Sequence, residues 1–249
     1  MGISQMVGAE DIDIFLDEDS KFFRTVIKKQ LEEELGFRVT CAANYTDARE
    51  ILNKPGDEFF LALIDRKLPD GPNGEIVDFV IKKSVPAVVF SAEFNEDLRD
   101  YLLQKNIIDY VVKDNPASID YIISTVKRLY QNQFIKVLMV DDSRTARYTM
   151  CSLLVRYKFQ VLEASDGLEA LKIIEETPGI HLVITDFRMD NLDGFELTKK
   201  IRAQYSMNDI SIIGVSAYGN QSLSAKFIKA GANDFLTKQF LNEEFFSVK

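Results

Sequence analysis

The stretch that decides the fold is HLVITDFRMDNLDGF, residues 181–195. It contains a short apolar run, Leu182–Thr185, of the kind that forms a fully buried strand in a parallel sheet. The run ends directly on an acid, Asp186. Two interpretations follow. Either the carboxylate opens a turn, or it is a reactive group that a rigid strand holds at the edge of a sheet.

The bulk composition limits the classes of protein that fit this chain. Its 249 residues are enough for two ordinary domains, and 46% hydrophobic with 28% charged residues is typical of a soluble protein. The net charge of −9 argues against binding to nucleic acid or to an anionic membrane. We find no apolar segment of about 18 residues that could span a membrane, and no signal peptide at the start of the sequence.

Cysteine and histidine usage narrows the chemistry. Cys41 and Cys151 lie in apolar surroundings far apart in the sequence, which predicts reduced, buried thiols and a cytoplasmic protein. The single histidine, His181, excludes histidine-rich metal sites and precedes a predicted strand. We therefore predict that His181 is a surface residue without a catalytic role.

The chain contains a repeat of one whole domain. Four stretches of the first half recur in the same order in the second half. They pair Asp19 with Asp142, Asp65 with Asp186, Ser91 with Ser216 and Lys113 with Lys238, at separations of 123, 121, 125 and 125 residues. Such a nearly constant offset indicates a tandem duplication.

Each copy alternates short apolar strands with amphipathic helical segments, which indicates βαβ units around a parallel sheet. Five strands per copy predict an α/β fold with two tandem flavodoxin-like (βα)5 doubly wound domains, each with a five-stranded parallel sheet. We place the domains at residues 10–131 and 134–249. The helical segment 117–133 runs almost directly into the next strand, and we expect the final helix to be cut short at Lys249.

Polar side chains stand at the carboxyl ends of the predicted strands, where ligands bind in this fold. They are Glu18, Asp19, Asp65, Ser91 and Lys113 in the first copy, and Asp141, Asp142, Asp186, Ser216 and Lys238 in the second. Three acids at one edge repel one another unless a cation is supplied, and Mg²⁺ prefers such oxygen ligands. A metal, a lysine and a hydroxyl around one carboxylate suit the acceptance of a phosphoryl group.

The motifs VDDS, ITDFRMDNLDG, VSA and TK, in this order and spacing, resemble those of receiver domains of two-component response regulators. Each half of the chain resembles one receiver. The resemblance implies that Asp65 and Asp186 accept the phosphoryl group. It implies that Mg²⁺ is held by Glu18, Asp19 and Asp65 in one half, and by Asp141, Asp142 and Asp186 in the other. It further implies that Ser91, Lys113, Ser216 and Lys238 bind the phosphoryl group, and that Tyr110 and Phe235 are aromatics that turn inward on activation.

The stretch LDEDS, residues 16–20, leaves two choices for the acidic pair, Asp17/Glu18 or Glu18/Asp19. The apolar positions of the following helix favour the second choice. Counting 4, 7, 8 and 12 residues from Asp19 gives Phe23, Val26, Ile27 and Leu31, whereas the same count from Glu18 gives Phe22, Thr25, Val26 and Gln30. We also predict that Phe22, Phe23, Val26 and Ile27 face the core.

Two groups of residues depart from the family pattern or differ between the copies. Asp114 and Gln239 stand where the family has a proline after the lysine, so we expect the lysines to be held less firmly. Lys67 and Glu93 are placed to pair across the first site and slow attack by water, while Arg188 and Tyr218 take these places in the second. This predicts different decay rates for the two phospho-aspartates.

The resemblance implies a phosphorelay function, with a histidine kinase or phosphotransfer protein as the donor. It implies regulatory domains with no enzyme activity beyond self-phosphorylation and autodephosphorylation. We expect a homodimer and an output domain beyond Lys249, because tandem receivers resemble the regulatory half of diguanylate cyclases with a GGDEF domain. The alternative is a stand-alone adaptor or phosphate sink. A flavodoxin-like cofactor enzyme is disfavoured, since no glycine-rich phosphate loop follows the first strand of either copy.

Overall fold

The computed structural model describes residues 8, 11–56, 58–93, 95–105, 107–113, 115, 117–217 and 221–238. The chain divides into two compact units, Met1–Leu129 and Tyr130–Lys249. The predicted truncation of the final helix lies outside the described residues, as do Asp114 and Gln239.

Within the described residues, the first unit alternates five strands and five helices. The strands are β1 (Asp13–Asp17), β2 (Arg38–Ala42), β3 (Leu61–Asp65), β4 (Ala87–Ser91) and β5 (Asp109–Val112). The helices are α1 (Lys21–Glu33), α2 (Tyr45–Leu52), α3 (Glu75–Lys82), α4 (Glu96–Gln104) and α5 (Ala117–Asn132), the last of which ends within the second unit.

The second unit repeats this order as far as its fifth strand. Its strands are β6 (Lys136–Val140), β7 (Gln160–Ala164), β8 (Ile180–Asp186), β9 (Ser211–Ser216) and β10 (Asp234–Thr237). Its helices are α6 (Arg144–Arg156), α7 (Gly167–Glu176), α8 (Gly194–Arg202) and α9 (Gln221–Ala230).

Both sheets are parallel and have the same strand order, β2-β1-β3-β4-β5 and β7-β6-β8-β9-β10. This is the flavodoxin-like doubly wound order, which confirms the predicted fold class. The order places the first and third strands of each unit side by side. Asp17 therefore pairs with Ile64 in the first sheet, and Val140 pairs with Thr185 in the second.

The central strands are apolar because helices cover them on both faces. All five residues of β3 and of β4 are buried, and Phe15 and Phe90 are fully buried. In the second unit, Phe227 of α9 packs so closely on β9 that a Cβ at Gly214 would lie 2.6 Å from its Cδ1. A glycine at this position of a buried strand is therefore explained by the ring of Phe227.

One predicted core residue is wrong. Ile27 and Leu31 of α1 are buried as the periodicity indicates, and Phe23 and Val26 are half-buried, but Phe22 is 68% exposed. Successive helix positions are about 100° apart, so Phe22 lies about 140° around the helix from the buried Ile27 and on the opposite side from Leu31. His181 is exposed, as predicted, and accepts a hydrogen bond from the backbone of Lys136 at 3.3 Å.

Among the described residues, none of the helices combines the length and the apolar composition that a membrane crossing requires.

Candidate functional site

Two clusters of acids lie at the carboxyl ends of the sheets. Glu18, Asp19 and Asp65 form the first cluster, and Asp141, Asp142 and Asp186 form the second. In each cluster, one carboxylate oxygen from every residue lies within 4.8 Å of the others. Two members of each cluster are buried and the third is exposed. Oxygen ligands at this spacing, open to solvent on one side, suit a hard divalent cation.

Strand pairing explains why the acids meet. In the first unit, β1 and β3 are neighbours, and both end at this edge of the sheet, one residue before Glu18 and on Asp65 itself. In the second unit, β6 and β8 bring Asp141 and Asp186 together in the same way. Gly194, the first residue of α8, packs on the carbonyl of Asp186, where a Cβ would overlap it. The second acceptor candidate therefore stands at a closely packed turn.

A lysine lies across each cluster. The Nζ of Lys113 is 2.8 Å from Oε2 of Glu18 and 2.6 Å from Oδ2 of Asp65. The Nζ of Lys238 is 2.7 Å from Oδ2 of Asp141 and 2.8 Å from Oδ1 of Asp186. Both lysines thus contact two carboxylates each, which differs from the loose placement expected from the missing prolines. We call Glu18, Asp19, Asp65 and Lys113 the first site, and Asp141, Asp142, Asp186 and Lys238 the second site.

Burial and ion pairing act in opposite directions on these groups. Burial alone would lower the pKa of Lys113, but its hydrogen bonds to Asp65 and Glu18 outweigh this and raise the pKa. The pKa of Lys238 is raised in the same way by Asp141 and Asp186. Burial raises the pKa of Glu18 and of Asp186, and the neighbouring lysine only partly offsets this. Both lysines therefore carry a positive charge against partly desolvated acids.

Asp17, the alternative metal ligand, lies elsewhere. It is fully buried, and neither oxygen of its carboxyl has a hydrogen-bond partner. Because side chains alternate along a strand, Asp17 faces the same side of the sheet as Phe15, which packs with the apolar residues under α2 and α3. Burial, followed by the charge of Asp65, raises its pKa to about 8. The three carboxylates that meet are thus Glu18, Asp19 and Asp65, the set chosen from the helix periodicity.

Comparison with known proteins identifies the family. The model of the response regulator receiver domain matches residues 137–248. The chain is 36% identical over 107 residues to a chemotaxis protein CheY homolog of Campylobacter jejuni, which covers 43% of this chain and 82% of that protein. It is 35% identical over 107 residues to the chemotaxis protein CheY1 of Helicobacter pylori strain J99, of which it covers 86%. The chain belongs to the response regulator receiver family.

A solved structure matches this chain across both receivers. The crystal structure of a two-component system response regulator/GGDEF domain protein matches with a TM-score of 0.82 and 38% sequence identity. The match covers 94% of this chain and 95% of that chain. The fold and the phosphorelay class predicted from the sequence are thus confirmed, with two tandem receivers in one chain.

The serine and aromatic candidates lie on β4 and β5 of the first receiver, and on β9 and β10 of the second. Ser91 and Ser216 are buried at the ends of β4 and β9. Tyr110 is buried, and its hydroxyl donates a hydrogen bond to the carbonyl of Glu93 at 2.7 Å. Phe235 is half-buried, and its ring lies 5.5 Å from that of Phe227. Both aromatics therefore pack against their own receiver.

The predicted pair across the first site is present. Nζ of Lys67 lies 2.9 Å from Oε2 of Glu93, and both side chains are largely exposed. The backbone N–H groups of Lys67 and Glu93 donate to Asp65 and Ser91, so the pair spans the loops on either side of the acceptor candidate. In the second receiver Arg188 is exposed, and Tyr218 lies outside the described residues.

Two arginines at the sites were missed at the sequence level. Arg24 donates to the carbonyl of Glu18, and Arg147 donates to the carbonyl of Asp141 at 2.5 Å. Each arginine stands six residues after the first acid of its site. The repeated spacing was the signal in the sequence that could have revealed them. The two hydrogen bonds show that a side chain of the following helix fixes the backbone of each acidic loop.

Proposed function

We propose that Asp65 and Asp186 accept a phosphoryl group from a histidine kinase or phosphotransfer protein. The observation that supports this proposal is that both receivers have the same arrangement of an acceptor carboxylate, a lysine and two further acids. One buried carboxylate lies within hydrogen-bond distance of a lysine and within 4.8 Å of carboxylates from two further acids. An arrangement retained twice in one chain favours chemistry over a structural role.

The residues of each site have separate tasks in the transfer. A carboxylate oxygen of the acceptor attacks the phosphorus of a phosphohistidine, a P–O bond forms, and the P–N bond to the imidazole breaks with return of the electron pair to nitrogen. Lys113 or Lys238 supplies positive charge beside the incoming phosphoryl oxygens. Ser91 or Ser216 donates a hydrogen bond to the acyl phosphate, and Tyr110 or Phe235 follows the movement of the serine loop.

The donor set fits Mg²⁺. Glu18, Asp19 and Asp65 would hold the ion in the first receiver, and Asp141, Asp142 and Asp186 would hold it in the second, through carboxylate oxygens that Mg²⁺ prefers. When bound, the ion offsets negative charge on the phosphoryl oxygens. The exposed acid of each set leaves room for the water ligands that Mg²⁺ usually keeps.

We further propose that phosphorylation controls a homodimer and an output domain. The similarity to a response regulator/GGDEF domain protein supports a diguanylate cyclase as this output. The receivers themselves are then regulatory, with self-phosphorylation and autodephosphorylation as their only chemistry. The free thiols of Cys41 and Cys151 support a reducing, cytoplasmic location.

The experiment is incubation with acetyl phosphate and Mg²⁺, followed by intact mass spectrometry. We expect up to two phosphoryl adducts on the wild type, one on Asp65→Asn or Asp186→Asn, and none on the double variant or in EDTA. Asp97→Asn is a matched control, because it makes the same change at an exposed acid of α4 outside both acidic clusters, and it should keep both adducts. A phosphoryl adduct on the double variant would contradict the assignment of the acceptors.

A further inference from the structure

We propose that Phe23 and Phe90 are positioning residues that hold Lys113 on the carboxylates of the first site, so that this site takes up a divalent cation less readily than the second. The inference rests on the proposed function, because it concerns the same acidic clusters. It goes beyond that function by giving the two receivers different cation requirements.

The Lys113 ammonium lies against two aromatic rings. Its Nζ lies 5.3 Å from the ring centroid of Phe23 and 5.2 Å from that of Phe90, over the rings in both cases. A cation within about 6 Å of an aromatic face is attracted by the ring quadrupole, and more strongly where water is excluded. The Lys113 side chain is only 9% exposed, and Phe90 is fully buried. Two rings and two carboxylates therefore restrain one ammonium group.

The second receiver has no aromatic residue at either of these two positions. Ala146 and Val215 stand at the positions of the second receiver that correspond to Phe23 and Phe90. Neither residue offers a ring to a cation. The Lys238 side chain is 25% exposed, compared with 9% for Lys113. The lysine of the second site is therefore more accessible to water, although it contacts the same kind of carboxylate pair.

Lys113 and a divalent cation would compete for the same carboxylates. Lys113 contacts Glu18 and Asp65, which are two of the three carboxylates that would hold the cation. A divalent ion that takes these oxygens must displace the ammonium from at least part of its contacts, because two cations in one small site repel each other. Displacement of Lys113 also moves it away from the rings of Phe23 and Phe90. The ring attraction thus opposes cation binding at the first site.

The test measures affinity and not phosphorylation. Mn²⁺, an oxygen-bound divalent ion, serves as the probe, and its free concentration is followed by electron paramagnetic resonance. The first site is measured in the full chain carrying Asp141→Asn and Asp186→Asn. The second site is measured in the chain carrying Glu18→Gln and Asp65→Asn.

We expect tighter Mn²⁺ binding at the second site than at the first. Phe23→Leu, which keeps apolar volume but removes the ring, should tighten binding at the first site about three- to tenfold. Phe23→Tyr, which keeps the ring, should retain the wild-type affinity. Phe79→Leu is the matched control, since it makes the same change at a half-buried ring of the first receiver that faces Arg49 and Lys83. It should leave the affinity unchanged.

Three results would overturn the inference. One is equal first-site affinity for Phe23→Leu and Phe79→Leu, and another is weaker binding by Phe23→Leu. The third is the absence of Mn²⁺ binding at both sites, which would also remove the metal part of the proposed function. Either of the first two results, obtained together with intact acyl phosphate formation, would leave the phospho-acceptor assignment standing.

Discussion

The buried acid Asp17 predicts an unusual dependence of stability on pH. Its carboxyl is fully buried without a hydrogen-bond partner, and its pKa is raised from 3.8 to about 8. Val140 occupies the corresponding strand end in the second receiver. The fold therefore accepts valine at this position, and we expect Asp17→Val to stabilise the first receiver.

The sign and size of the change in the free energy of unfolding with pH follow from proton linkage. In the unfolded chain Asp17 releases its proton near pH 3.8, but in the folded receiver it keeps the proton up to about pH 8. Stability is therefore lost as the pH rises between these two values, at about 1.4 kcal/mol for each pH unit. From pH 5 to pH 7 the loss is roughly 3 kcal/mol, and Asp17→Val removes it. The advantage of the variant should thus grow by roughly this amount.

The assay is urea unfolding of the full chain in EDTA at pH 5 and pH 7, read by pulsed hydrogen exchange with peptide-resolved mass spectrometry. Peptides from β1 and β3 report the first receiver, and those from β6 and β8 provide an internal control. Asp17→Asn should also lose the part of the pH dependence that comes from Asp17, because it cannot ionise, although it still buries a polar group. A stability difference between wild type and Asp17→Val that is the same at both pH values would refute the reasoning.

Three further predictions concern single contacts. Gly214→Ala should destabilise the second receiver by about 1–3 kcal/mol in urea unfolding, because the added methyl group meets the ring of Phe227; unchanged stability would show that the ring has room to move. Tyr110→Phe should cost the first receiver about 1 kcal/mol in the same assay through loss of the hydrogen bond to Glu93, and a neutral effect would show that water replaces it. Lys67→Met should speed decay of the acyl phosphate at the first site by up to about fivefold, because the contribution of an exposed ion pair such as Lys67–Glu93 to the barrier is small. A half-life equal to that of the wild type would argue that the pair does not shield the acyl phosphate from water.

The sequence predicted those features that depend on periodicity and repetition. The run Leu182–Thr185 leads into the acid Asp186 in the structure as in the sequence, because a parallel strand covered on both faces is largely apolar until it reaches the edge of the sheet. The choice of Glu18 over Asp17 as the first acid of the cluster came from the apolar positions of α1. Both features are local, so one sequence is sufficient to predict them.

Features that depend on packing between distant residues were not predicted. The exposure of Phe22 depends on how α1 rotates against the sheet, and a run of adjacent apolar residues does not define that rotation. The contact of Phe23 and Phe90 with Lys113 joins three elements far apart in the sequence. The close approach of Phe227 to Gly214 is likewise a property of two packed elements, and a lone glycine in a strand does not reveal its partner.

The proposal that Asp65 and Asp186 accept the phosphoryl group is tested most directly by locating the acyl phosphate in the chain. Borohydride converts an aspartyl phosphate to homoserine, which peptide mapping assigns to a single position. After treatment with acetyl phosphate and Mg²⁺, followed by borohydride, we expect homoserine at positions 65 and 186. Homoserine at position 19 or 142, or a stable phosphoryl group on a serine with unmodified aspartates, would contradict it.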